Sequence, residues 1–405
     1  MLDGRFREAG RRLNTLLLHC NTIANMGMTS QIAPRTTPRL RAASFDDFEQ
    51  IGRLQAEHGL GGWNREEWRH LWMGNPAYLE RKNEWPIGWV LNAGSDVVGY
   101  FGNIPVPYEL NGRSLLAGCG HSWVVAPAYR SYSLLLLDQY LRQEHADLCV
   151  SNSVNQESCK PLMAMGASPV PVGTWNRSHV WITTYPSFVN SWLARRRCPA
   201  ARFFSYPISA GLFLRDTFIK CRIPNVDNGG LEIKCCDTFG EEFDGFWEAL
   251  RSQNSNKLLA VRSRPVLEWH FRYALRENRV WIVTASEGSR MCAYGIFLLQ
   301  RTSRDAVKRL TLVDFQALAD EPVLFYPVLN WVLGRCRLDG VHLLESIGLR
   351  PRGIGDIGPL APYHPKQDSW IYWYKTSNET LAGLLRNPDV WAPSLFDGDA
   401  SVGLT

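Results

Sequence analysis

The stretch Leu115-Leu-Ala-Gly-Cys-Gly-His121-Ser-Trp-Val-Val125-Ala-Pro127-Ala-Tyr-Arg130-Ser-Tyr-Ser133-Leu-Leu-Leu-Leu-Asp-Gln-Tyr-Leu-Arg142 changes its period halfway. From about Leu115 to Val125 it reads as a strand, Pro127 ends that strand, and from Ser133 to Arg142 the apolar residues recur at helical spacing. A strand that turns directly into a helix leaves backbone N–H groups exposed at the positive end of the helix dipole, a ready site for an anion. Upstream, Ile87 to Asn92 and Asp96 to Val106 read as strands joined across Ala93-Gly94-Ser95, and Asn111-Gly112 signals the next tight turn. The result is an antiparallel meander feeding a helix. Two helices precede it, one introduced by Ser44-Phe-Asp-Asp47 with Ser44 as N-cap, the other near Glu66 to Met73. Downstream come a short strand at Leu148 to Ser151, a helix from Gln156 to Met165, and a strand near Thr174 to Trp181 expected to close this half.

The same order returns from about Leu231. Helices are expected at Glu242 to Gln253 and Arg264 to Ala274. Strands follow at Arg279 to Ala285 and Arg290 to Gln300 across Glu287-Gly288, then Arg309 to Phe315, a helix at Pro322 to Leu338, and a strand at Val341 to Glu345. Asp368 to Lys375 alternates like a half-buried strand expected to close the second sheet. The chain thus reads as an ααβββαβ unit used twice. The fold class is α/β, two mixed domains of mostly antiparallel sheet with flanking helices. The expected boundaries are a poorly ordered segment 1–37, in which Arg5 to Leu18 could form a short basic helix, a domain 38–184, a linker or helical layer 185–230, a domain 231–376 and a tail 377–405. Within the layer, the apolar run Phe203 to Arg222 reads as an interdomain packing face in preference to a membrane-facing stretch.

Composition narrows the function. The 405 residues carry 44 basic and 39 acidic side chains, a formal charge of +5, with no basic stripe of the kind nucleic acid demands. The ten cysteines form no CxxC pair and no cluster with histidine at zinc spacing, so no metal is expected. No stretch approaches the 18 or so apolar residues that span a bilayer. A soluble, cytoplasmic protein is the expectation. Gly353-Ile-Gly355-Asp-Ile-Gly358 fits GxGxxG, but Pro359 follows and no helix does, so it reads as a loop.

The hairpins, then Val125-Ala-Pro127-Ala-Tyr-Arg130 with its V-x-P-x-x-R lead-in, resemble the acyl-CoA N-acyltransferase superfamily called GNAT. The similarity covers about 38 to 182, and the second half is more distantly similar, as in tandem-GNAT and FemAB-like transferases. The resemblance implies that the pyrophosphate of CoA sits on the turn Arg130-Ser-Tyr-Ser133-Leu-Leu135, where the family has R/Q-x-x-G-x-G/A. Arg130 matches, Ser133 is small, and Leu135 departs from the pattern. The implied donor-binding set is Val124, Val125, Arg130, Ser131, Tyr132, Ser133, Leu134, Leu135 and Asn155. Asn155 to Gly166 is similar to the second family signature, with Leu162 where the family often has the tyrosine that protonates the departing thiolate.

Acyl transfer to an amine needs a base, for which His121 is the candidate and Glu109 the runner-up, each weighed against an ordinary structural role. In the second half Val313-Asp314-Phe315-Gln316 leads into Ala-Leu-Ala-Asp-Glu321, two acids that would repel a pyrophosphate; Asp314 is considered for an acceptor pocket or a turn. The function implied is an N-acyltransferase moving an acyl group from acyl-CoA to an amine of a small-molecule or sugar acceptor. A FemAB-like transferase using aminoacyl-tRNA and a non-catalytic acyl-CoA-binding or regulatory protein stand as alternatives. Trp391 and Asp397-Gly-Asp399 resemble a closing tail of tandem proteins of this type.

Overall fold

The computed structural model describes residues 36–402 apart from 61–62, 82–83, 173–174, 199, 219–222, 225–229, 301–306, 319–320, 349–359 and 368–370. The basic helix expected before residue 19 and the glycine motif at 353–358 lie outside the described residues. The first half runs β1 (Arg39–Ala42), α1 (Phe48–Glu57), α2 (Arg65–Met73), α3 (Pro76–Arg81), β2 (Gly88–Ala93), β3 (Asp96–Leu110), β4 (Arg113–Val125), α4 (Ser133–Leu141), β5 (Leu148–Val154), α5 (Gln156–Ala164), β6 (Ser168–Pro169) and β7 (Ser178–Ile182). Two helices, α6 (Tyr185–Arg195) and α7 (Ala201–Phe218), connect it to the second half. That half comprises β8 (Leu231–Cys236), α8 (Glu242–Gln253), β9 (Leu259–Ala260), α9 (Arg264–Arg276), β10 (Val280–Glu287), β11 (Arg290–Leu299), β12 (Arg309–Ala317), α10 (Glu321–Leu338), β13 (Leu343–Ile347) and β14 (Ile371–Lys375). The tail adds α11 (Glu379–Leu385) and α12 (Asp399–Val402).

Local chemistry explains the meander. Asn111 and Gly112 take φ of 52° and 72°, the left-handed pair that a two-residue hairpin requires, and they close β3 on β4. Ser44 initiates a 3-10 turn over Phe45–Asp47, and α1 starts only at Phe48; the backbone N–H and hydroxyl of Ser44 donate to Asp47, whose carboxylate also pairs with Arg41 at 2.6 Å. A capping box between Asn64 and Glu67 starts α2.

The sheets do not follow the chain halves. One runs β1-β2-β3-β4-β5-β14-β6, the other β7-β13-β12-β11-β10-β8. The strand expected to close the first half, β7, pairs antiparallel with β13 of the second sheet, through Val180↔Glu345. The strand expected to close the second sheet, β14, pairs instead with β5 of the first, through Tyr374↔Val150. Both expectations are corrected: each half gives its last strand to the other. The cause is that an alternating pattern fixes which face of a strand is buried and says nothing of which edge receives it. A third crossing, β9 on β3 (Tyr108↔Ala260), adds to the weld, and one apolar core runs continuously from Ile51 and Trp72 through Leu250 and Phe271 to Leu395 and Phe396.

The helical layer is also corrected. On α7 only Ser205 and Ser209 are buried, while Phe203, Phe204, Tyr206, Phe213, Leu214 and Phe218 are all more than half exposed. It packs on α6, and through Leu212, Arg215 and Asp216 it reaches the seam of β7 and β13 and Tyr363, so the face it covers is narrow. Apolar composition predicted burial that the fold does not supply.

Candidate active site

The site is built where β4 and β5 part. They pair in parallel only through Ala117↔Leu148, Gly118↔Cys149 and Cys119↔Val150. Beyond Cys119, β4 continues to Val125 on β3 while β5 turns its other edge to β14, so a wedge opens between them. At its mouth β4 carries a bulge: Tyr100↔Val124 gives way to Gly102↔His121, leaving Ser122 and Trp123 against one residue of β3. Ser122 sits at φ 55°, and Gly102 opposite is required, since a Cβ there would lie 2.9 Å from the His121 carbonyl. The second sheet repeats the device, with β12 and β13 paired only from Arg309↔Leu343 to Leu312↔Ser346 and a shift at Ile296/Phe297.

His121 faces away from α4. Its neighbour Gly120 approaches Phe101 and Tyr140 on the α4 side, and alternation sends His121 to the opposite face, where its ring meets Trp63 edge-on at 6.2 Å. It is 6% exposed, its Nε2 has no hydrogen-bond partner among the described residues, and burial pushes its pKa down to about 4. Trp63 leads into a cleft between α2 and α9, lined also by Glu67, His70, Trp269, His270, Tyr273 and Val402. His70 Nε2 meets the Trp269 carbonyl at 3.0 Å and the Trp269 indole N–H meets the His70 carbonyl at 3.0 Å, a reciprocal clasp between the halves. His270 Nε2 lies 2.8 Å from the Ser401 hydroxyl, and burial pushes this histidine down to about 3.

The tail completes the wedge. α12 packs on both β4 and β5. The Asp399 carboxylate accepts from the Asn152 N–H at 3.3 Å and from the Ser153 hydroxyl, and the Ala400 N–H donates to the Asn152 side chain at 2.8 Å. Gly398 allows this approach, because a Cβ there would meet the Asn152 side chain at 2.6 Å. Burial raises the Asp399 carboxyl to about 6, with the Ser153 hydroxyl and nearby N–H groups opposing the rise, and its charge helps push up the Cys119 thiol at the fork of the wedge.

Two residues upstream of that helix, at Asp397, the tail enters a buried ion cluster. Arg262 bonds Asp314 twice, at 2.8 and 3.0 Å, Asp397 at 2.8 Å, the Ser394 hydroxyl at 3.2 Å and the Ala260 carbonyl at 2.7 Å. Tyr108 and Tyr372 both donate to the Asp397 carbonyl. Asp314 is therefore no pocket residue. It is fully buried, and besides Arg262 it accepts from Tyr294 and Gln316, each at 2.9 Å.

The other sequence candidates scatter. Glu109 lies on β3 seven positions from Gly102, the partner of His121, roughly 23 Å along the strand. It ion-pairs with Arg251 at 3.1 Å in a polar groove of about 580 Å³ and shares no site with His121. Val124 and Val125 are buried in the sheet. The turn that follows is a 3-10 stretch over Pro127–Tyr132 running straight into α4, so the Ser133 N–H is already given to the Arg130 carbonyl. Arg130 and Ser131 are exposed, Tyr132 is half-buried against the α4 core, and Leu134 and Leu135 stand 45% and 44% exposed at the helix start. Asn155, across the wedge, caps α5 by accepting from the Ser158 N–H at 2.9 Å. The site residue that sequence reading left without a role is Asp399; its signal was a glycine between two acids. Among the described residues no cluster of histidine, cysteine and carboxylate side chains could hold a metal ion, and no helix is long and apolar enough to cross a membrane.

No family profile matches the chain, and no curated protein matches it. Solved structures do. A GCN5-related N-acetyltransferase from Anabaena variabilis is 13% identical, covers 84% of this chain and 73% of its own, and superposes with a TM-score of 0.50. A conserved protein of unknown function from Enterococcus faecalis is 11% identical over the same shares, with a TM-score of 0.53. The Saccharomyces cerevisiae N-myristoyltransferase, solved with bound myristoyl-CoA, is 9% identical, covers 87% of this chain and 81% of its own, and scores 0.51. At such identities the likeness is one of fold, and with the paired wedges and bulges of the two sheets it shows that the chain carries the GNAT fold in tandem.

Proposed function

We propose that the protein is an N-acyltransferase that takes its acyl group from acyl-CoA and delivers it to an amine of a small-molecule or sugar acceptor. The observation that carries this reading is the wedge between β4 and β5, bulged at Ser122 and lined on one side by a buried carboxylate. The bound myristoyl-CoA of the yeast relative in fold supports an acyl-CoA donor. Its phosphates would lie by Arg130 and the α4 turn, through Ser131, Tyr132, Ser133, Leu134 and Leu135. Exposed Leu134 and Leu135 offer contact to an acyl or pantetheine chain more than they offer amides. Val124 and Val125 would form the wall beside the donor, and Asn155 the opposite rim.

The acceptor would approach His121 past Trp63, where the gap between α2 and α9, about 20 Å³, would have to widen to admit it. Asp399 is ionised above about pH 6 and is well matched to take a proton from an ammonium near neutrality. The unpartnered Nε2 of neutral His121 would accept a hydrogen bond from the acceptor. The freed amine attacks the thioester carbonyl, the C–N bond forms, the C–S bond breaks, and the second proton of the attacking nitrogen passes through water to the departing thiolate, since Leu162 stands where a tyrosine could have served. Glu109 has no part in this scheme. Calorimetry with acetyl-, longer acyl- and free CoA, followed by an amine screen, tests the reading. Saturable heat lost in Arg130→Ala supports it, and no heat from any thioester would leave transfer from aminoacyl-tRNA or a non-catalytic role.

A further inference from the structure

The α6–α7 hairpin has no part in the wedge, yet it carries the densest run of exposed apolar side chains among the described residues. Phe203 is 82% exposed, Tyr206 70% and Phe218 78%, and Phe204, Ile208, Phe213 and Leu214 join them. Seven such side chains leave roughly 700 Å² of apolar surface open, beyond the ~300–600 Å² of the largest patch on a typical monomer. The helix is 18 residues long, about 27 Å, and only a narrow stripe through Ser205, Ser209, Leu212 and Asp216 rests on the body.

Charge says what covers it. Between residues 185 and 223 the sequence holds Arg195, Arg196, Arg197, Arg202, Arg215, Lys220 and Arg222 against a single acid, Asp216. That acid is turned inward, accepting from Tyr185 at 2.9 Å and Tyr363 at 3.0 Å. Arg195 at the end of α6, Arg196 and Arg197 in the turn that follows, and Arg202 at the start of α7 next to Phe203 and Phe204 are all exposed, with Arg196 lying 4.5 Å over the Trp192 ring. A second copy packed on this helix has no acid to offer the arginine rim, because the hairpin's one carboxylate, Asp216, is turned inward. An apolar face rimmed by arginines with no outward carboxylate fits an anionic bilayer surface, where aromatic rings enter the headgroup boundary and guanidinium groups meet phosphates.

We propose that α7 docks this protein on anionic lipid, lying in the plane of the surface. The test is co-sedimentation of the full chain with phosphatidylcholine vesicles, with and without about a third phosphatidylglycerol. Saturable partition onto the anionic vesicles, weakened by salt, is expected. The exposed triple variant Phe203→Ser, Phe204→Ser, Phe218→Ser should weaken it about a hundredfold. Neutralising Arg195, Arg196, Arg197 and Arg202 to Gln should cost on the order of a hundredfold on anionic vesicles alone. Circular dichroism of both variants should show an unchanged melt, since the substituted side chains are exposed. Absence of partition at every lipid composition would overturn the proposal, as would undiminished partition of the triple variant. A vesicle-indifferent dimer dissociated by the same three serines would assign the face to a second copy and overturn it equally.

Discussion

Replacing Arg262 by Met should destabilise the protein by about 3–5 kcal/mol at pH 7, because it leaves two buried carboxylates without their cation. The side chain of Arg262 is 1% exposed, those of Asp314 and Asp397 are 0% and 5%, and among the described residues no other cation bonds either acid. The two acids are not equivalent. Despite burial, Arg262 holds Asp314 below the usual carboxylate range, whereas burial and the charge of Asp314 raise Asp397 to about 6. Ionised Asp397 therefore carries a folding penalty of roughly 3 kcal/mol. The folded form binds this proton more tightly than the unfolded chain, so between about pH 4 and 6 stability is gained as pH falls, and the penalty is fully present above 6. Asp397→Asn should accordingly gain on wild type by about 2 kcal/mol between pH 4.5 and 7.5, whereas the stability that ionised Asp314 contributes is fully present above about pH 4 and is lost only as pH falls below it, so Asp314→Asn should show no such trend over this range. Urea unfolding of the variants at the two pH values separates the two acids. A cost below about 1 kcal/mol for Arg262→Met, or no pH dependence in the Asp397 comparison, would refute a dry, charge-unbalanced cluster.

Three further outcomes are expected. With a saturating amine, turnover should rise with an inflection near pH 6 that Asp399→Asn abolishes along with at least about a hundredfold of rate, whereas His121→Asn should raise KM and leave that inflection in place; an inflection near 4 would return the proton to His121. Arg130→Ala should weaken CoA about fivefold or more and flatten its salt dependence, and Leu135→Gly should change acyl-chain preference more than affinity for free CoA, both read by calorimetry. A fragment of residues 38–184 should fail to melt cooperatively, because β14, which lies between β5 and β6, would be missing and β7 would have no sheet; a sharp thermal transition with native near-ultraviolet dichroism would contradict this.

The hairpins were legible because their information is local: Asn111-Gly112 and Glu287-Gly288 name the turns, and alternation names the faces. The doubled order of elements was legible for the same reason. The exchange of β7 and β14 was not, since Val180 and Tyr374 have the same strand chemistry whichever sheet takes them. Glu109 and His121 were grouped by type, yet seven positions of strand separate them, and only register measures that. Asp314 read as a turn acid because its cation, Arg262, lies 52 residues away. On α7 the apolar side chains were read as buried because composition reports what a side chain prefers and tertiary structure decides what covers it.

Through the tail, a second half without its own arginine turn would take part in the proposed site. Asp314 on β12 orients Arg262; Arg262 holds Asp397; Tyr108 of the first sheet and the exchanged Tyr372 hold the carbonyl of that same residue. Gly398 then lets the chain close on Asn152, and Asp399 arrives at the fork between β4 and β5. Every link from Asp314 to Asp399 is a buried polar contact, and such a chain has few alternative arrangements once its partners are satisfied. The second domain thus holds at the wedge the carboxylate proposed as the base, a group the strands β4 and β5 do not themselves supply there. Loosening the cluster at Arg262 should for that reason cost rate as well as stability, and the loss of rate should not add to that of Asp399→Asn, because both remove the same carboxylate from the same place.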